Sequence, residues 1–230
     1  MAEIALIVGT GSGLSAALAQ LFHREGMRVA LAARRPDKLA TLCAETDARA
    51  YSCDASARAD VEALFGSVTN DIGFPDIVVY NPSYRTRGPI VELDPDEVMK
   101  TLTVTCFGGF LVAQQAARGM LKAGHGTILF TGASASIKGY ARSAPFAMGK
   151  FGLRGLAQSM ARELAPQNIH VAHFVIDGGI RQANDTRGNE RGPDGMLEPA
   201  AIATNYLHVH RQPRSAWTAE IELRPWVESY

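Results

Sequence analysis

Short runs of apolar, often β-branched residues alternate along the chain with longer segments in which apolar residues recur at helical spacing. The runs predict seven β-strands, at residues 4–8, 28–32, 48–52, 77–80, 127–130, 169–176 and 221–223. They are apolar throughout rather than at alternate positions, which is typical of strands buried on both faces. Strands that alternate with helices predict one α/β domain, a doubly wound parallel sheet flanked by helices.

Two of the helices have recognisable ends. Apolar residues between Leu14 and Phe22 indicate an amphipathic helix, and Gly26 suits the left-handed position that follows a helix end. Asp94 and Pro95 begin another helix, because Asp caps free backbone amides and Pro fits the first helical turn. We expect this second helix to run to about residue 122.

Composition narrows the classes of function. The 230 residues are 47% hydrophobic and 20% charged, which fits one globular domain and excludes a disordered or coiled-coil chain. The 23 basic side chains balance the 23 acidic ones, so we expect neither nucleic acid nor a membrane as a partner. With no signal-peptide pattern and no apolar run of about 20 residues, the expected location is cytoplasmic. The cysteines and histidines lack the spacing of metal ligands, so no metal is expected.

One long connector follows directly after a predicted buried strand. Residues 181–199 are rich in charge, Gly and Asn. The segment is either a solvated connector or a lid that closes over a ligand at the strand ends.

A glycine-rich turn connects the first predicted strand to the first predicted helix. Such a turn brings backbone N–H groups and a helix N-terminus up to a pyrophosphate, so it predicts a dinucleotide site. The predicted contacts are Gly9, Gly11, Ser12, Gly13 and Leu14.

Two arginines end the second predicted strand, where an acidic residue would accept a hydrogen bond from the ribose 2′-hydroxyl of NAD. Arg34 and Arg35 stand there instead, and a guanidinium pairs with a 2′-phosphate. The sequence therefore favours NADP(H) over NAD(H).

The spacing of Gly9 and Gly13 resembles the G-x-x-x-G-x-G turn of the short-chain dehydrogenase/reductase family, with Ser15 in place of the last glycine. The resemblance implies a Rossmann fold and further cofactor contacts after the later strands. These contacts are Asp54 and Ala55, Asn81, Gly178 and Ile180.

The same resemblance places the reaction site around Lys150, the lysine of the family's Y-x-x-x-K pair. Phe146 stands at the position of the tyrosine that protonates the substrate oxygen, as in a divergent subgroup of the family. Lys150 would still hold the nicotinamide ribose. Ser134 is the nearest candidate for the family serine, and Thr105 stands at the position of the helix asparagine.

These features predict an NADP(H)-dependent oxidoreductase that moves hydride between the nicotinamide and a carbonyl or alcohol at a degenerate site. A weak or inactive NADP(H)-binding sensor, or an enoyl reductase or lyase on the same fold, remains an alternative. Tyr84 and Tyr140 are alternative hydroxyl donors or packing residues. Arg85 and Arg87 either face solvent or favour an acidic substrate. The expected partner is a small-molecule substrate, and the resemblance implies that the chain forms a homodimer or homotetramer.

Overall fold

The structure, a computed structural model, describes residues 2–182, 186 and 191–228. All seven strands join one parallel sheet in the order β3-β2-β1-β4-β5-β6-β7. The strands are β1 (Ile4–Val8), β2 (Arg28–Ala33), β3 (Arg49–Ser52), β4 (Ile77–Tyr80), β5 (Gly126–Thr131), β6 (Ile169–Ile176) and β7 (Glu220–Leu223).

Helices cover both faces of the sheet, so the doubly wound Rossmann-like architecture predicted from the sequence is confirmed. The α-helices of the described residues are α1 (Leu14–Arg24), α2 (Ala40–Thr46), α3 (Arg58–Ile72), α4 (Pro95–Leu102), α5 (Gly108–Ala123), α6 (Ala144–Leu164) and α7 (Pro199–His210).

The core consists of two layers separated by the sheet. In β1, the side chains of Leu6 and Val8 lie in the layer with α3, α5 and α6, whereas Ala5 and Ile7 lie in the layer with α1 and α7. Each strand side chain points to the face opposite that of its neighbour. Both faces are largely apolar for this reason, and β1 and β4 have apolar or aromatic side chains at every position.

The predicted helix ends agree with the structure, apart from one local departure. Gly26 has φ +81°, as a left-handed residue after α1 requires, and the Asp94 carboxylate accepts a hydrogen bond of 3.0 Å from the Asp96 amide. The segment predicted as one helix to about residue 122 instead contains a wide π-helical turn at Thr103–Phe107 between α4 and α5. Helical periodicity does not distinguish such a turn from the regular helix around it.

The connector at 181–199 is tied at its described ends. The amide of Arg181 donates to the Leu197 carbonyl and the amide of Leu197 donates to the Gly179 carbonyl, each at 2.9 Å. Residues 183–185 and 187–190 of the predicted lid lie outside the described residues, so the lid stays a prediction. Among the helices of the described ranges, none has the length and apolar character needed to cross a membrane.

Candidate active site

Adjoining cavities lie along the carboxyl edge of the sheet. The strand order runs outward from β1 through β2 to β3 on one side and from β4 through β5 to β7 on the other, so the order switches between β1 and β4. Ligands of open α/β sheets bind at such a switch point. The central cavity, of about 440 Å³, lies between the glycine turn and Lys150. The turn cavity, beside Ser12, Arg34 and Arg35, and the Asp54 cavity continue it on one side. The outer cavity, of about 740 Å³, continues it beyond Phe146 on the other.

The glycine turn leaves the start of α1 open to the central cavity. Gly9 has φ +83°, and a Cβ there would lie 2.7 Å from the ring of Pro82. A Cβ at Gly11 or Gly13 would meet nothing within 4 Å, so both backbones are open to close approach. No side chain caps the helix at Gly13, and no acid lies in the first turn. These free amides at a helix N-terminus fit a pyrophosphate.

Ser15 joins the glycine turn to the loop after β4. Its hydroxyl donates to the Gly9 carbonyl at 3.1 Å and accepts a hydrogen bond of 2.7 Å from the Asn81 side-chain amide. Ser15 is buried, and it stands where the motif has its last glycine. The departure from the motif therefore adds a tie between the two loops that border the central cavity.

Arg34 and Asp54 lie at the far end of the site. Both line the Asp54 cavity together with Asn81, and Arg34 also lines the turn cavity with Arg35. Hydrogen bonds from Ser56, with help from the charge of Arg34, lower the pKa of Asp54. Asp54 is thus an ionised acceptor beside a cation. Ala55 is buried immediately after it.

Lys150 is buried in α6 at the floor of the central cavity. Its Nζ donates to the Thr131 carbonyl at 2.7 Å, at the end of β5. Burial, assisted by the charge of Arg85, lowers the pKa of Lys150 to about 7. The amine is therefore poised to hold or release a proton near neutral pH.

Two basic side chains lie near the ring of Phe146. It is 5% exposed, and its centroid is 5.8 Å from Lys150 Nζ. The guanidinium carbon of Arg85 lies 4.0 Å from the same centroid. Phe146 lines both the central and the outer cavity, one helical turn before Lys150.

The candidate serine and the candidate relay residue have different surroundings. Ser134 lines both the central and the outer cavity, whereas the hydroxyl of the buried Ser136 accepts the Ala133 amide at 3.1 Å. Thr105 lies in the wide turn, where its hydroxyl accepts the Tyr84 amide at 3.2 Å. Ser134 thus shares the central cavity with Lys150, whereas Thr105 holds the loop after β4.

Gly178 and Ile180 follow β6 and line the central cavity. Gly178 has φ +154°, and a Cβ there would lie 2.7 Å from Pro225. Asp177, for which the sequence offers no role, pairs with Lys138 at 3.5 Å and with Arg224 at 3.3 Å. The carboxylate therefore anchors the C-terminal segment to the edge of the site.

The two alternative tyrosines are placed differently. Tyr84 donates to Glu97 at 2.6 Å and accepts from Lys100 at 3.1 Å, on the Asp54 side of the site. Tyr140 lines the outer cavity with Phe146 and is 46% exposed. Of these two tyrosines, only Tyr140 shares a cavity with the ring of Phe146.

A partly exposed charge network that includes the buried His173 was missed at the sequence level. Arg154 donates two hydrogen bonds of 2.6 Å to Glu220, whose carboxylate accepts from His173 Nδ1 at 3.2 Å. Burial lowers the pKa of His173 to about 4, so the ring is neutral at pH 7. The residues come from α6, β6 and β7, and no local pattern links them. Within the described ranges, no three His, Cys, Asp or Glu side chains gather as metal ligands would.

Comparison with known proteins assigns the chain to a family. The family model described as short chain dehydrogenase matches residues 3–188. The chain belongs to the short-chain dehydrogenase family. The family resemblance read from the glycine turn and Lys150 is thereby confirmed, while the subgroup with Phe at position 146 stays a prediction.

Relatives of this short-chain dehydrogenase span nearly the whole chain. A crystal structure of a short-chain dehydrogenase from Rhodopseudomonas palustris is 36% identical, with a TM-score of 0.84 over 97% of this chain and 99% of that one. An uncharacterized oxidoreductase of Staphylococcus aureus strain N315 is 26% identical over 229 residues, 97% of each chain. A metagenomic short-chain oxidoreductase, solved in complex with NADP, is 25% identical, with a TM-score of 0.84 over 98% of each chain.

Proposed function

We propose that this short-chain dehydrogenase is an NADP(H)-dependent oxidoreductase acting on a small carbonyl or alcohol. The observation that carries the proposal is the row of adjoining cavities from Arg34, past the open glycine turn, to Lys150. When bound, the nicotinamide would supply or accept the hydride. The NADP complex of the metagenomic relative supports the choice of cofactor.

Different residues along this row of cavities would bind different parts of the cofactor. The amides at the start of α1 would take the pyrophosphate, and Arg34, assisted by Arg35, would pair with the 2′-phosphate. Asp54 and Asn81 would border the adenosine end. Near the reacting end, the backbones of Gly178 and Ile180 would face the nicotinamide amide.

At the reacting end, Lys150 Nζ would hold the nicotinamide ribose. Phe146 has no proton to give, so Ser134, which lines the same cavity, would pass a proton between water and the substrate oxygen. Loss of a positioned proton donor costs roughly 10² to 10⁴ in rate where nothing replaces it. We therefore expect slow turnover.

A calorimetric titration with NADPH and NADH at matched salt and pH tests the cofactor assignment. We expect NADPH to bind at least about tenfold more tightly, as one charge-assisted pair predicts. If a folded sample binds neither cofactor, the proposal is wrong. Turnover with carbonyls and enones then tests the reaction.

The missing hydroxyl at Phe146 favours a second candidate function, an NADP(H)-binding sensor without turnover. Such a protein would signal through the connector at residues 181–199. Tight NADPH binding together with no reduction of any carbonyl or enone would favour the sensor over the oxidoreductase.

We further propose that the chain assembles as a homodimer or homotetramer. Large apolar side chains are exposed along α4 to α6, namely Met99, Phe107, Phe110, Leu121, Met148 and Phe151. An exposed apolar face of this kind marks a protein contact. We expect sedimentation to show an oligomer that Phe110→Glu dissociates, while Ala44→Glu on exposed α2 leaves it intact. A monomeric wild-type chain would contradict the assembly.

A further inference from the structure

The outer cavity beyond Phe146 has more positive than negative charge available to a ligand. Its lining includes two carboxylates, Asp177 and Glu228. Asp177 is paired with Lys138 and Arg224, and Glu228 is paired with Arg191. Neither carboxylate is therefore free to balance the remaining cations of the cavity.

Three further arginines line the same cavity, Arg85, Arg87 and Arg142. Across the part of the chain that the structure describes, none of the three forms an ion pair with an acidic side chain. The chain as a whole is neutral, with 23 basic and 23 acidic residues. The surplus of positive charge is therefore local to this cavity and does not reflect the overall composition of the chain.

The backbone holds these arginines on two loops that are tied together. The Gly88 amide donates to the Arg142 carbonyl at 3.0 Å, joining the loop after β4 to the loop before α6. Arg142 has φ +61°, a left-handed conformation that is uncommon for a side chain of this size. The loop geometry therefore brings the cations to one cavity at some conformational cost.

Arg85 is the member of this group closest to the reaction site. Its guanidinium lies over the face of Phe146 and borders the central cavity that contains Lys150 and Ser134. The flat ring supports the flat guanidinium by stacking and cation–π attraction, and leaves the N–H groups at the guanidinium edge free to bind. A phenylalanine at this position thus provides a platform for a cation.

We propose that the substrate carries an anionic oxygen group, a carboxylate or a phosphate, which Arg85 binds beside the reacting carbon with help from Arg87 and Arg142. A guanidinium pairs with either group through two parallel hydrogen bonds. This inference rests on the proposed oxidoreductase function and specifies its substrate class.

A binding experiment tests the anion site without requiring turnover. The probes are benzoate and phenyl phosphate, with benzamide as the neutral analogue, titrated into the full chain with and without NADP⁺. We expect at least one anion to bind about tenfold or more tightly than benzamide. The anion with the larger preference identifies the group. Equal binding of all three probes, or no binding of either anion, overturns the proposal.

Variants assign the preference to the arginines. Arg85→Gln should remove about tenfold or more of the anion preference, and Arg142→Gln should reduce it, since each deletes one charge-assisted contact. Arg24→Gln, on the exposed end of α1, is the matched control and should keep the preference. A preference that survives in both Arg85→Gln and Arg142→Gln overturns the proposal. Unchanged NADPH affinity in Arg85→Gln separates a substrate site from a cofactor phosphate contact.

A turnover comparison separates this inference from the function on which it rests. With NADPH, kcat/KM for 4-carboxybenzaldehyde or 4-formylphenyl phosphate should exceed that for benzaldehyde about tenfold, and Arg85→Gln should abolish the difference. Equal reduction of charged and neutral aldehydes leaves the oxidoreductase standing and overturns the anion site. Anion binding that Arg85→Gln removes, without reduction of any aldehyde, supports the anion site and counts against the oxidoreductase.

Discussion

Arg34 follows β2 directly and lines both the turn cavity and the Asp54 cavity. This position is the basis for the proposed contact with the 2′-phosphate of NADP(H). We expect Arg34→Ala to weaken NADPH binding about ten- to a hundredfold and to leave NADH binding nearly unchanged. Calorimetry with both cofactors measures the difference. Arg24→Ala is the control, and equal losses for the two cofactors would exclude a 2′-phosphate contact.

Phe146 lies near Lys150 and Arg85 and stands where the family motif has its tyrosine. Phe146→Tyr would place a phenol near both basic groups, whose positive charge favours the phenolate form. We expect carbonyl reduction to rise about ten- to a hundredfold, within the range of general acid catalysis. Steady-state kinetics with NADPH measures the gain relative to the wild type. An unaltered rate in Phe146→Tyr would argue against a weakened reductase.

At the scale of single elements, two glycines of the glycine turn differ in what requires them. We expect the backbone conformation to require Gly9 and cofactor binding to require Gly11. Gly9 combines φ +83° with a close approach to Pro82, whereas a Cβ at Gly11 meets no atom within 4 Å. We expect Gly9→Ala to lower the stability by about 1 kcal/mol or more, since it adds strain in the left-handed region. Gly11→Ala should fold like the wild type and still bind NADPH at least about tenfold more weakly.

Thermal unfolding and NADPH titration of the two glycine variants measure both effects, and the wild type is the reference. Each variant serves as the control of the other, because the same methyl group is added two residues apart. If Gly11→Ala binds NADPH normally, the pyrophosphate does not approach this part of the turn.

The strands were predictable chiefly because burial on both faces makes an inner parallel strand such as β1 or β4 an apolar run. The two predicted helix ends followed from Gly26 and from Asp94 with Pro95, whereas the wide turn at Thr103–Phe107 had no such signal. The glycine turn and Lys150 were recognisable because they occupy short local motifs. Contacts such as Arg85 on Phe146, or Asp177 with Arg224, join residues far apart in the chain, and no periodicity encodes them.

At the scale of the whole molecule, Lys150 links stability to pH. Its pKa falls from its usual 10.5 to about 7 on folding, so between these values the unfolded chain binds a proton that the folded chain does not. Stability contributed at this site therefore rises with pH across that window, by at most about 1.4 kcal/mol per pH unit. We expect the stability of the wild type relative to Lys150→Met to increase from pH 7 to pH 10.

Urea unfolding of both chains at several pH values measures this difference. The comparison with Lys150→Met cancels the titration of the other groups, provided that the two chains share the same fold by circular dichroism. A difference that is constant with pH would show that Lys150 keeps its ordinary affinity for protons after folding, and one that falls as pH rises would show that folding raises that affinity. Either result contradicts the prediction.

The order of strands in the sheet also bears on how the molecule is made. Strands β1 to β4 precede β5 to β7 in the chain and occupy contiguous positions β3-β2-β1-β4, and the loops after β1, β2 and β3 contain the glycine turn, Arg34 and Asp54. This half can pair while the rest is still being synthesised, since domains form from the N-terminus onward during translation. The outer edge of β4 then has no partner strand until β5 has been synthesised. A pause in translation between β4 and β5 would therefore prolong the exposure of this edge and the opportunity for aggregation.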